Sequence, residues 1–535
     1  MHPHSFIPFS LLLHVYSVSA AQLSFEARSV KRTSHLQRRA GIAGQAIANN
    51  HNAEYMSNIT LGGRTIPVML DTGSSDLWVT GSVPGSTDTG KSTTLSYAVG
   101  QAAGDINTAS LTFDNYTVDN QAYLLVTNTS SFSTDITTQG YEGLVGLGPN
   151  SGSVIRQKVG DASGDSMLNR IFQQNKTTQN YITFLLDRQG DPGNTITGQI
   201  TISELVPGYE NITSQTKMSV ETVPGLTSSD QHWQLLSDKD KGVIGPDGQV
   251  IKTSSIVPKA PDGQLVAVYD SGFTFPQVPR AMSDSIYGCV QGAQYDTNEQ
   301  LWLVPCSQML NISFNFGGVN YPIHPLDTVS SDFNMTDSSG NPTCIGTFQP
   351  ITAAFSLLGS YDMILGMNFL RNTYTLLDYG DFVDDSSNDR TAPFMQLLPL
   401  TDVNTAHNDF VQARLHGQDT TGSPSQALLP ASQCQHSPES EEEKKQHYEE
   451  MVISRWPYIL AGCLLFLIIS IGLIVWRCCC RRRRRPKKSV LPAQNTTYAP
   501  LHDPNSTLSL QPLGDSYGGK QSYGDYDHGG YHNGR

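Results

Sequence analysis

Charged side chains are scarce. Asp, Glu, Lys and Arg make up 15% of the 535 residues, against about 25% in an ordinary soluble domain. Thr, Ser, Asn, Gly and Val are plentiful instead, a mix that suits a β-rich protein outside the cytosol. Positive charge is especially short. The formal net charge of -14 argues against nucleic acid as the main partner. It fits work in acid, where protonation of carboxylates keeps the surface from excess positive charge. Cysteine is also sparse, at 8 residues, and no pair has zinc-knuckle spacing, so no metal is expected. A long amphipathic helical pattern is missing from the middle of the chain. The length of 535 residues still exceeds one core, and roughly 150 residues per domain implies two or three folded units.

Long apolar runs are confined to the ends. Phe6 to Val18 is apolar and Val18-Ser19-Ala20 offers small residues for signal peptidase, so residues 1–20 read as a signal peptide. Lys31-Arg32 and Arg38-Arg39 suggest dibasic processing, with 21–39 a short propeptide-like segment. Tyr458 to Trp476 carries no charge; at about 1.5 Å per residue it just spans a ~30 Å hydrocarbon core. Trp456, Tyr458 and Trp476 mark its ends, and Arg477 and Arg481 to Arg485 follow. The positive-inside rule then puts the large N-terminal part outside or in a lumen, a type I topology. The expected transmembrane helix is 457–476, preceded by a polar stalk over 401–456. A disordered cytoplasmic tail over 477–535 follows. In that tail Cys478, Cys479 and Cys480 are palmitoylation candidates or plain reduced thiols. Tyr498-Ala499-Pro500-Leu501 matches a tyrosine sorting signal for an adaptor.

Between about 50 and 400 the pattern is one of short strands. Leu61 to Val79, Leu111 to Val126 and Ile182 to Leu186 mix β-branched and apolar residues with Gly, Asn and Asp breaks, giving an all-β class. Only short helices are expected, for instance around Met167 to Gln174. A weak repeat sets the architecture. Val68-Met69-Leu70-Asp71-Thr72-Gly73-Ser74-Ser75 is echoed by Val266-Ala267-Val268-Tyr269-Asp270-Ser271-Gly272-Phe273-Thr274. Each is an apolar strand running into Asp, a hydroxyl residue and Gly. Each is followed by an apolar-apolar-Gly segment, Leu144-Val145-Gly146 and Ile364-Leu365-Gly366. Two lobes on one plan, 40–205 and 206–400, would bring two Asp-bearing turns face to face across a cleft.

These residues together resemble the pepsin family of aspartic proteases, fungal members above all. Asp71 to Val79 is similar to the first active-site signature, and Asp270-Ser271-Gly272 to the second. Ser96-Tyr97-Ala98-Val99-Gly100 is similar to the hairpin that closes over substrate, with Tyr97 as the flap tyrosine and Gly100 beside it. Tyr141 to Gly148, Ile364 to Gly366, Gly198 to Ile202 and the strand opening at Trp233-Gln234 also match. The resemblance covers about 50–400. It implies a bilobal fold and hydrolysis of polypeptide substrates at apolar residues, in acidic to mildly acidic surroundings.

The chemistry follows from charge. Two carboxylates about 3 Å apart cannot both ionise easily, so Asp71 and Asp270 would share one proton. The ionised partner takes a proton from a water between them, and that water attacks the peptide carbonyl. No metal, cofactor or acyl-enzyme is needed. Gly73 and Gly272 let backbone amides approach the carboxylates. Thr72 and Ser271 would carry the bonds between the loops, with Ser74 supporting the first aspartate. The second motif departs from the family at Phe273, where Ser or Thr is usual. A missing hydroxyl should raise the pKa of Asp270 and make the optimum less acidic. A catalytically impaired pepsin-like ectodomain acting as a peptide-binding or cell-surface receptor is the alternative that Phe273 supports.

The resemblance also pairs Cys306 with Cys344, a link that would constrain the unfolded chain by roughly 3–4 kcal/mol. Cys289 is expected to be buried and unpaired, with pairing to Cys434 the alternative. Asn115, Asn128, Asn175, Asn211, Asn311 and Asn334 begin luminal glycosylation sequons. Asn58 does too, within an expected strand.

Overall fold

The computed structural model describes residues 44–482 apart from 98–99, 129–135, 175–178, 224–229, 338–339, 352–359, 384–390 and 440. The signal peptide, the dibasic pairs, most of the tail and Tyr498 to Leu501 lie outside the described residues. So does Asn175.

Strand alternation builds the first half of the β region. In Glu54–Leu61 every second residue is buried, from Tyr55 to Leu61, which is the period-2 pattern of a sheet with one covered face. This strand pairs with Arg64–Asp71 in antiparallel register, Met56 opposite Met69 and Leu61 opposite Arg64. Both belong to an 8-stranded sheet that ends in the long hairpin of Thr87–Tyr97 and Gly100–Phe113. The second half is built on a 5-stranded sheet that contains Val266–Tyr269 and Met363–Leu365, flanked by smaller antiparallel sheets.

A 6-stranded sheet joins the two halves of the β region. Its strands from the first half, Tyr181–Leu185 and Gln199–Ile202, meet Thr373–Asp378 and Phe394–Pro399 from the second. The junction is Ile182 opposite Leu377 and Phe184 opposite Thr375. Trp233 and Tyr379 reinforce it: the indole and the phenol both donate to the Leu147 carbonyl, at 3.2 and 2.5 Å. Asp327 sits at the same junction, 1% exposed. It accepts from Arg188 Nε at 2.9 Å and from Arg371 Nε at 2.8 Å. Burial alone would raise its pKa; the two guanidinium charges overcome that and hold it down at about 2.

The expected stalk does not begin at 401. Asp402 caps the helix Val403–Leu415, accepting from the Thr405 N–H. That helix buries Ala406, Phe410 and Val411. Its Asp409 faces His324, whose Nε2 lies 3.7 Å from Asp409 and from Asp191. The chain then returns to the segment around residues 284–289. The Leu429 N–H donates to the Cys289 carbonyl, the Gln435 N–H to the Gly288 carbonyl, and the buried Ser437 hydroxyl to Asp284. Cys289 is therefore not unpaired: it forms a disulfide with Cys434, with a Cα–Cα distance of 4.3 Å. Residues 402–437 look polar and apolar-poor, but a few apolar anchors and one cross-link fold them onto the body. Cys306 and Cys344 form the second disulfide, Cα–Cα 5.0 Å.

A helix follows over Glu441–Arg482. Its stretch Arg455–Arg477 has a mean hydropathy of 2.8 and none of it is buried, so it is long and apolar enough to cross a bilayer.

Candidate active site

Each half of the chain builds the same local device. Arg64–Asp71 ends in Asp71, and it pairs in parallel with Gly143–Gly146, Asp71 opposite Gly146. The bracing strand also pairs antiparallel with Leu77–Thr80 on its other side. The chain thus leaves one strand, turns through 72–76, and re-enters beyond the brace. Val266–Tyr269 repeats this: it pairs in parallel with Met363–Leu365, Tyr269 opposite Leu365, and that strand pairs antiparallel with Gln277–Val278. The turns are pinned at matching places. Gly148 N–H donates to the Ser74 carbonyl at 2.7 Å, and Met367 N–H to the Phe273 carbonyl at 2.8 Å.

The turns then interlock. Thr72 N–H donates to Ser271 Oγ at 3.0 Å, and Ser271 N–H donates to Thr72 Oγ1 at 2.9 Å. Each hydroxyl donates onward across the junction, Thr72 to the Tyr269 carbonyl at 2.9 Å and Ser271 to the Leu70 carbonyl at 2.8 Å. Asp71 and Asp270 sit on either side of this exchange, 5% and 7% exposed. Gly73 N–H donates to Asp71 Oδ1 at 2.8 Å, and Gly272 N–H to Asp270 Oδ1 at 2.7 Å. A Cβ on Gly73 would fall 2.2 Å from Asp270 Oδ2, and one on Gly272 would fall 2.6 Å from Asp71 Oδ1. Each glycine therefore lies under the carboxylate of the other lobe, where no larger residue fits.

The two carboxyls are not in equal surroundings. The Ser74 hydroxyl donates to Asp71 Oδ2. Phe273, at the matching place, brings no hydroxyl to Asp270. Burial first, and then the neighbouring Asp71 charge, push the Asp270 carboxyl well above the ordinary carboxylate range; its side chain is within hydrogen-bonding contact of Asp71. A proton held on one member and shared with the other is what this geometry favours.

The hairpin places Tyr97 opposite Gly100, whose φ of 142° is one that L side chains rarely adopt. The Tyr97 hydroxyl is directed at the Trp78 indole and the Ser74 hydroxyl, and burial is the main reason its pKa is raised. Of the sequons, Asn115, Asn211, Asn311 and Asn334 are exposed. Asn58 is partly buried and its carbonyl accepts from Gln45. Asn128 ends the strand Tyr116–Asn128, its side chain outside the described residues.

A family model described as eukaryotic aspartyl protease matches residues 83–382, more than half of the chain. The chain belongs to that family. The match holds Tyr97 and the Asp270 turn and begins after the Asp71 turn, so the interlocked hydrogen bonds carry the first half of the site. Fungal proteins named as aspartic endopeptidases or peptidases are similar to this chain along more than half of its length. One is a probable aspartic-type endopeptidase CTSD of Arthroderma benhamiae, 24% identical over 62% of this chain and 60% of its own length. A putative aspergillopepsin A-like aspartic endopeptidase of Aspergillus fumigatus is 26% identical over 70% of this chain and 81% of its own. The major aspartyl peptidase 1 of Cryptococcus neoformans is 25% identical over 61% and 67%. The chain spans about 60% of the length of the first of these relatives.

Within this family member, sequence reasoning gave no role to three titratable groups, two of which, Asp76 and His232, lie beside the dyad. Asp76, 6% exposed, accepts from Ser153 Oγ and from the N–H groups of Val154 and Ile155, holding a helix start against the Asp71 turn. Glu54 is pushed up to about 7 by burial, with the Asn50 side chain opposing the shift. His232 precedes the Trp233-Gln234 strand opening and feels the Asp71 charge. Only position beside a recognised motif could have flagged His232.

Proposed function

We propose that this protein is an aspartic-type endopeptidase tethered to a membrane, with Asp71 and Asp270 as its catalytic pair. The observation that carries the reading is the meeting of two carboxyls from separate lobes. Each is cradled by the other lobe's glycine, with the shift of Asp270 toward the protonated form. The ionised carboxylate withdraws a proton from a water bound between the two. The water oxygen bonds to the peptide carbonyl carbon, and the neutral carboxyl hydrogen-bonds the carbonyl oxygen. Collapse of the tetrahedral intermediate breaks the C–N bond as a carboxyl proton passes to the leaving nitrogen. Both ends of the cut substrate leave as free chains, and the pair is again singly protonated.

Tyr97 and Gly100 line the substrate side from the hairpin, and Thr72, Gly73, Ser74, Ser271 and Gly272 hold the dyad. The disulfides and exposed sequons support a luminal or extracellular ectodomain. The apolar stretch Arg455–Arg477 and the arginines beyond it support a single type I span. Plasma membrane and vacuole or endosome both suit that topology, and Tyr498 to Leu501 would serve an adaptor on the cytosolic side. The test is hydrolysis of a casein-type substrate by the detergent-solubilised full chain. Turnover should be blocked by a statine inhibitor and lost in Asp71→Asn and Asp270→Asn. Retained turnover in either variant overturns the reading.

A further inference from the structure

The dyad has a neighbour that the hydrolytic scheme does not use. His232 lies two residues before the strand Gln234–Leu236, which pairs with Val266–Tyr269 so that Gln234 lies opposite Val268. That pairing carries the residues just before it toward the Asp270 turn. The backbone around His232 is locked on both sides. Gln231 is 6% exposed; its Nε2 donates to the carbonyls of Glu221 and His232, at 2.9 and 2.8 Å. Its Oε1 accepts from the Val223 N–H at 2.9 Å. Trp233 is fully buried, its carbonyl accepting from Tyr269 N–H at 2.8 Å. Between these clamps His232 is half-buried. It stands edge-on to Tyr361, with ring centroids 6.3 Å apart.

Its surroundings have one sign. The ring is within hydrogen-bonding contact of the Gly73 backbone and feels the charges of Asp71 and Asp230; its neighbour Tyr361 feels that of Asp270. Imidazole and phenol thus form one wall of the dyad, each next to a different aspartate. We propose that His232 is a positioning residue of this dyad, fastening the Gly73 turn and, when protonated, balancing the dyad's single negative charge.

Burial opposes charge on this ring and the two aspartates favour it. The imidazolium is therefore present in acid and absent near neutral pH. Its influence belongs on the acid limb of the rate profile, where the dyad gains its single charge. An imidazolium there favours the charged dyad and extends activity to lower pH. The inference rests on the hydrolytic reading above.

The experiment compares pH profiles of kcat/KM for the full chain and three variants on one uncharged peptide substrate. His232→Phe removes donor and charge; the acid limb should move up by about half a unit or more. His232→Asn keeps a donor and no charge, and its acid limb should move up similarly while kcat at the optimum stays closer to wild type. His232→Arg restores a charge and should return the limb to the wild-type position or below. A second readout needs no turnover. The imidazole NMR resonance absent from His232→Asn should titrate at lower pH in the Asp71→Asn protein than in wild type. Superimposed acid limbs across wild type and the folded variants overturn the proposal, as does an imidazole titration indifferent to Asp71→Asn. Wild type without turnover overturns the hydrolytic reading instead, and the imidazole titration then still judges the contact.

Discussion

Thr72 and Ser271 exchange backbone for side chain across the lobe junction: each N–H donates to the other's hydroxyl, at 3.0 and 2.9 Å. Both hydroxyls also donate onward, so the exchange uses four bonds and two side chains. Thr72→Val keeps the shape and removes a hydroxyl that is 1% exposed. It strands the Ser271 N–H and the Tyr269 carbonyl in the interior. The expected loss of stability is about 2–4 kcal/mol, from two buried groups left unpaired. Chemical denaturation measures it. Turnover should fall by more than unfolding explains, because the turns no longer hold the two carboxyls in register.

Gly73→Ala tests the cradle. The added Cβ would sit 2.2 Å from Asp270 Oδ2 and 2.5 Å from its Cγ. Either the turn or the carboxylate must move, and a shift of about 1 Å at a reacting group can cost on the order of 100-fold in rate. The thermal midpoint should drop modestly while kcat/KM drops at least that far. A variant of near wild-type activity would show that the dyad is not held at this glycine.

Much of this site was legible before any coordinates. The two Asp-hydroxyl-Gly turns and their bracing segments are local signals, each written in a few consecutive residues. The parallel pairing of Asp71 with Gly146 and of Tyr269 with Leu365 follows the order in which those signals recur. The helix Met167–Gln174 lies where a short helix was expected. What could not be read was set by packing across sequence distance. Residues 402–437 carry few apolar side chains, and Phe410 and Val411 gain their role only against the body. Cys289 and Cys434 lie 145 residues apart, and nothing nearby in the sequence marks them as partners. His232 has meaning only because the sheet register brings it to Gly73.

Phe273 makes a prediction about pH. The Asp270 carboxyl is pushed up by burial and by Asp71, and no hydroxyl at 273 opposes the shift. Phe273→Thr offers Asp270 the hydrogen bond that Ser74 offers Asp71, which favours the ionised form. The optimum of kcat/KM should move to lower pH. Stability should respond as well. A carboxyl raised in the native state stabilises the fold below its unfolded value, here 3.8, and that contribution is lost as pH rises through the native value. Wild type should therefore weaken from about pH 4 upward, and Asp270→Asn should weaken less over the same range. An optimum that moves up in Phe273→Thr would contradict the assignment.

Cys434 tests whether residues 402–437 belong to the body. Its disulfide to Cys289 closes a loop of 145 residues, and chain entropy alone would place the effect at roughly 4–5 kcal/mol, less any native strain. Cys434→Ser should lower the midpoint of chemical unfolding while Cys306 and Cys344 remain paired. It should also expose the returning chain, held otherwise by the Leu429 and Gln435 backbone bonds and by Ser437. Limited proteolysis should then cut between Gly417 and Cys434 at doses that leave wild type whole. Equal resistance in both proteins would show that the return is held without the cross-link.

Glu54 gives a pH dependence apart from the dyad. Burial lifts its carboxyl from 4.5 to about 7, and the Asn50 amide, which donates to Oε2 at 3.0 Å, only partly opposes the shift. The nearby Tyr141 phenol is raised chiefly by burial and then by the Glu54 charge. Glu54 is thus neutral in acid and is forced to ionise in the fold as the medium approaches neutrality. A native value above the unfolded one means the native state binds more protons in between, so stability falls with pH across that window. The fall is fully absent below pH 4.5 and complete above about pH 7. A shift of this size corresponds to about 2–3 kcal/mol after allowing for partial solvent contact. Glu54→Gln keeps the amide-sized side chain and cannot ionise. Its unfolding free energy should decline less than that of wild type between pH 4.5 and 7, with the two curves converging in acid. Parallel curves across the window would place the proton elsewhere.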